Sequence, residues 1–168
     1  PMPRSGDQFY PFRQDAALFA LSGLDQPGTI IVLCPDAKKK SNREIAFILP
    51  QDPEHLIWHG ERYSLKQASA VSGIPTIYTI DQWDTIMPFL IRSATTIYTH
   101  PRQADRLETE LRTENDRMNE KLKQLYPEHH HLSAHIILSR MLMLKHPVEL
   151  DLMRKAVQVT GRAFDSVL

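Results

Sequence analysis

Four of the eight histidines in the sequence, His129, His130, His131 and His135, fall within seven residues. His131 and His135 stand four apart, so a helix running through both would turn their imidazoles to one side, the spacing that helical zinc motifs use. Leu132 occupies the place where such a motif carries its catalytic Glu, and no third ligand follows nearby. The group therefore reads as a solvated loop entering a helix, able at most to capture nickel or zinc adventitiously, and no metal site is expected in the chain. Arg13 beside Gln14 offers a planar fork that grips a carboxylate or, more often in such a setting, holds a backbone turn or a structural acid. Trp58, in Ile57-Trp58-His59-Gly60-Glu61-Arg62, is either a packed sheet residue or an aromatic presented at an interface, and packing is the commoner fate of a large ring. Cys34 lies in an apolar run, where a thiol behaves as a small buried hydrophobe. Lys38, Lys39 and Lys40 read as a solvated loop in preference to a basic patch. The sequence holds no glycine-rich phosphate loop, no paired cysteines and no Gly-x-Ser-x-Gly elbow.

These residues need elements to position them. Ala16 to Leu21 and Thr29 to Leu33 are short apolar runs separated by Gly23 and by Gln26-Pro27-Gly28, a pattern expected for strand, turn and strand. A polar loop, Pro35 to Glu44, then leads into a strand over Ile45 to Leu49, and Leu56 to Gly60 reads as another short strand. Ser64 to Ser72 predicts a small helix, with Ser64 as its N-cap and Gly73 as its stop. Ile74 to Ile80 and Thr95 to His100 predict strands. Between them Asp81 is expected to cap a helix with Trp83, Ile86, Met87, Leu90 and Ile91 on one face and a kink at Pro88. From Arg102 to Gln124 apolar residues recur every three, four or seven positions on a charged background, the pattern of a long amphipathic helix stopped by Pro127. A second helix is expected from about Leu132 to Leu144. A third opens at Pro147, with Glu149 and Asp151 at its positive end and an apolar stripe through Leu152, Met153, Ala156, Val157, Ala163 and Phe164. Interleaved strands and helices place the chain in the α/β class, a mixed β-sheet covered by helices on both faces.

With 168 residues, 42% hydrophobic and 24% charged, the chain is long enough to bury a core, and one main domain is the expected count. Twenty basic side chains balance twenty acidic ones, so no global field draws in nucleic acid. No stretch approaches the roughly 20 apolar residues of a membrane span, and a single cysteine precludes an internal disulfide. A cytoplasmic setting is expected. The chain begins Pro-Met-Pro and finishes inside a helical pattern, so both ends read as cut.

Three blocks of sequence, in order, resemble the creatinase, prolidase and aminopeptidase P superfamily. Tyr10-Pro11-Phe12-Arg13-Gln14 with the following apolar run, Gly23 and the Pro27 turn is similar to the aminopeptidase P opening pattern. Ile57, Trp58, Gly60 and Arg62 resemble that family's Ile-Trp-x-Gly-x-Arg stretch. Lys145, Pro147, Glu149, Leu150, Met153, Arg154 and Ala156 resemble the link that opens its catalytic pita-bread domain. The charged helix from Arg102 and the histidine cluster depart from the pattern.

The resemblance implies a division at residue 144: an accessory N-terminal domain over 1–144, and over 145–168 the linker and first helix of a catalytic domain whose remainder is absent. It implies an enzyme that releases the N-terminal residue of a peptide with proline second, using two metal ions, usually manganese, held by two Asp, one His and two Glu. After Pro147 the only acids are Glu149, Asp151 and Asp165, too early for those ligands, so no catalytic residue is expected here and the chain alone should be inactive. The implied partners are the catalytic domain of the same protein, other copies in a homodimer or homotetramer, and peptides with a penultimate proline. The accessory domain would restrict access to the site, and Trp58 would be the one residue near substrate, contributed across an oligomer. The alternatives are a prolidase confined to dipeptides, a metal-free creatinase, and a non-catalytic peptidase-like binding module, which would be expected to carry the acidic surface or tail that this neutral chain lacks.

Overall fold

The computed structural model describes residues 3–6, 8–52, 56–57, 60–100 and 112–167. They fall into two compact units, Pro1–Ile97 and Tyr98–Leu168.

In the first unit a short antiparallel pair, β1 (Pro3–Ser5) and β2 (Gln8–Phe9), precedes helix α1 (Ala16–Ser22). The sheet at its centre runs in the order β3 (Ile30–Leu33), β4 (Glu44–Ile48), β5 (Thr76–Thr79). β3 pairs antiparallel with β4 and β5 pairs parallel with it, so the sheet is mixed. β4 is the middle strand, and Ile45, Ala46, Phe47 and Ile48 are all buried. Successive side chains on a strand point to opposite faces, so burial of four in a row requires cover on both. Ala46 and Ile48 join Leu24, Ala68 of α2 (Leu65–Ser72) and Ile74 in one core cluster, with Ile31, Tyr63 and Ile77 packed against it. On the other face Phe47 meets Trp83 of α3 (Trp83–Ile91) edge-on, ring centroids 5.0 Å apart, and Met87, Leu90 and Ile91 are buried on the same helix. The expected α/β fold class, a mixed sheet with helices on both faces, is what the chain forms.

Local signals set several boundaries. Ser64 caps α2 through the Gln67 N–H, the Gln67 side chain returns to the Ser64 N–H, and Gly73 ends the helix at φ 71°. Three expectations are corrected. Ala16–Ser22 is a helix rather than a strand: the Asp15 carboxylate accepts the N–H groups of Ala17 and Leu18, both at 3.0 Å, Gly23 closes the helix at φ 66°, and no β-branched residue interrupts the run. Leu56 and Ile57 belong to a helical turn rather than a strand, with the Leu56 N–H donating to Asp52 and the Gly60 N–H to Leu56. The α3 region is opened by Thr79, paired with Gln82 around a 3-10 turn at Ile80–Gln82, rather than by Asp81.

The second unit begins within β6 (Thr96–Thr99), which pairs with β7 (His130–Ser133). Between them α4 (Glu114–Leu125) starts at a Thr113–Asp116 capping box and stops before Pro127. The earlier part of the expected Arg102–Gln124 helix lies outside the described residues. α5 (His135–Met143) is shorter than the helix expected from Leu132, because His130–Ser133 is taken into the strand pair, with the Ala134 N–H donating to the Thr99 carbonyl at 2.7 Å. α6 (Pro147–Asp165) begins where expected, with Pro147 in its first turn and His146 and Glu149 forming a capping box. Its apolar residues, among them Leu152, Met153, Val157 and Phe164, are exposed.

Candidate functional site

Where the segment Tyr10–Thr29 meets the segment Leu49–Tyr63, a polar cluster forms around Gln26, which is only 3% exposed. α1 and its Gly23 stop return the chain so that Gln14 and Gln26 approach each other. The Gln14 side-chain amide donates to the carbonyls of Leu24 (3.2 Å) and Gln26 (3.0 Å), and its oxygen accepts the Asp15 N–H. The Thr29 hydroxyl donates to the same Gln26 carbonyl at 2.8 Å. The Gln26 side chain in turn donates to the Leu49 carbonyl (3.1 Å) and accepts the Tyr63 N–H (2.7 Å). A buried primary amide lowers the free energy only when its donors and acceptors are met, and here it meets backbone groups from both ends of one loop. Gly28, at φ 68°, completes the turn, and its Cα faces the Leu49 side chain so closely that an added Cβ would lie 2.8 Å from it.

A second pair of bonds closes the same loop outside the core. The Arg62 N–H donates to the Gln51 side-chain oxygen at 2.7 Å, and its guanidinium donates to the Pro50 carbonyl at 2.8 Å. Beyond this neck, Leu56 and Ile57 are exposed, 43% and 76%. Trp58, singled out for substrate contact, lies outside the described residues, as does His59. Of the Arg13-Gln14 pair, Gln14 does the bonding just described, while Arg13 is exposed. The sequence reading named Gln14 only as the neighbour of Arg13 and Gln26 only as part of a turn, and gave neither this bonding role.

The histidines do not form the helical pair that their spacing allows. His131 sits in β7 and His135 in the first turn of α5. His131 Nε2 is 2.8 Å from the Tyr126 carbonyl, which only accepts, so Nε2 carries the hydrogen. His135 Nε2 is 3.2 Å from the Ser139 hydroxyl one helical turn on, and its ring lies parallel to His100, centroids 6.1 Å apart. Among the described residues no three His, Cys, Asp or Glu side chains come together as a metal group. The donor set for the two-metal centre of the resemblance is therefore not assembled by the described residues.

Cys34, immediately after β3 in the chain, is half-buried, and burial pushes its thiol up from the ordinary value of 9.0, which disfavours a reactive thiolate. Lys38, Lys39 and Lys40 are exposed on a turn anchored to β5 by the Thr76 hydroxyl, which donates to the Ser41 carbonyl at 2.7 Å. Among the described residues no helix is long and apolar enough to cross a membrane. Among the described residues, the bonds of Gln14 and Gln26 tie the Tyr10–Thr29 segment to Leu49 and Tyr63.

The Xaa-Pro aminopeptidase of Haemophilus influenzae is 28% identical over 158 residues, 94% of this chain and 34% of that protein. Among solved structures, Pseudomonas aeruginosa aminopeptidase PepP superposes with a TM-score of 0.79 at 22% identity, covering 96% of this chain and 36% of that one. A zinc-substituted Escherichia coli aminopeptidase P in complex with product gives 0.73 at 20% identity, covering 96% and 37%. At such identities the superpositions establish a shared fold. The chain spans about a third of the length of the curated relatives it matches. The family model described as "Aminopeptidase P, N-terminal domain" matches residues 1–98, more than half of the sequence, and the chain belongs to that family.

Proposed function

We propose that this chain serves as the N-terminal accessory domain of a longer Xaa-Pro aminopeptidase, which releases the first residue of peptides with proline in second position. The observation that carries this reading is the collinear similarity to the Haemophilus influenzae enzyme along 94% of the chain, set against only 34% of that protein. The chemistry, two-metal hydrolysis with manganese as the expected ion, belongs to the remaining part of the protein. Residues 145–168 are read as the linker and first helix of that catalytic domain, consistent with the exposed apolar face of α6. The accessory sheet restricts access so that short peptides enter and folded proteins do not, and it supports a homodimer or homotetramer in the cytoplasm. Trp58, between Pro50 and Arg62 in the sequence, is the residue assigned to the neighbourhood of substrate.

The test is to assay the full-length protein and the 168-residue chain side by side on Xaa-Pro-Xaa tripeptides and Xaa-Pro dipeptides, with and without a chelator. The expected result is tripeptide cleavage by the full-length protein, lost on chelation, and none by the chain alone. Cleavage confined to dipeptides would make the parent a prolidase. Absence of cleavage by a folded, metal-replete parent would overturn the reading.

A further inference from the structure

We draw no further inference here: the strongest candidate, the apolar face of α5 on which Ile136, Ile137 and Met141 are exposed, carries none because nothing in the structure shows what covers it.

Discussion

Helix α6 provides the sharpest energetic expectation for the 168-residue chain. Val148, Leu152, Met153, Val157, Val159 and Phe164 are all more than half exposed, Val157 at 71% and Phe164 at 67%. Burying such a side chain completely is worth about 1.5–3 kcal/mol, so the exposed part of each represents about 1–2 kcal/mol, and six of them about 6–12 kcal/mol. Their positions cover about half of the helix circumference, with Asp151, Arg154, Lys155 and Asp165 on the remainder, so one partner helix covers part of the stripe. Association itself costs on the order of 4–15 kcal/mol. The two terms nearly cancel, and weak, concentration-dependent self-association follows. When unassociated, a helix of 19 residues held chiefly by its His146–Glu149 capping box is marginal in water and exchanges its amides quickly. Sedimentation velocity over about a hundredfold range of concentration should show a reversible oligomer. Val157→Glu together with Phe164→Glu should abolish it, and amide exchange after Pro147 should then be fast while β4 stays protected. A chain monomeric at every concentration, with α6 as protected as β4, would refute the reasoning, because it would mean the stripe already has a partner.

Gly28→Ala should destabilise the first unit by about 1–3 kcal/mol, because it places a Cβ at positive φ and 2.8 Å from the Leu49 side chain, whereas Gly60→Ala, at φ 84° with nothing among the described residues within 4 Å, should cost about 1 kcal/mol from the backbone alone. Equal denaturation midpoints for the two would refute the close-approach argument. Alkylation of Cys34 should be slower than that of the unfolded chain from neutral pH to about pH 9, since burial raises the folded thiol above 9.0. The same shift means that stability is fully present below pH 9 and falls as pH rises above it, because the unfolded thiol ionises first. A folded-state rate equal to the unfolded one would contradict the burial of Cys34. His131→Ala combined with His135→Ala should leave turnover and bound metal of the full-length protein unchanged, since the His131 ring binds the Tyr126 carbonyl just after α4 and the His135 ring a serine in α5. A large fall in either quantity would show a site that those local bonds conceal.

The sequence by itself determined whatever depends on near neighbours. The limits of α2 follow from Ser64, Gln67 and Gly73, and the start of α6 from Pro147 and Glu149, because capping bonds span four residues or fewer. The burial of β4 follows from its unbroken apolar run. The family was legible for the same reason, in ordered short blocks with recognisable spacing. Tertiary structure decided the rest. Ala16–Ser22 is too short and too uniformly apolar for its period to separate helix from strand, and the Asp15 cap and the left-handed Gly23 settle it. His130–Ser133 carries no strand alternation and becomes β7 only because β6 offers it a ladder, which removes the helical register that would have paired His131 with His135. Nothing local distinguishes Gln14 or Gln26 from a solvated surface glutamine. Their partners at Leu24, Leu49 and Tyr63 lie 10, 23 and 37 residues away, and hydrogen bonds of that span exist only once the core has brought the two segments together.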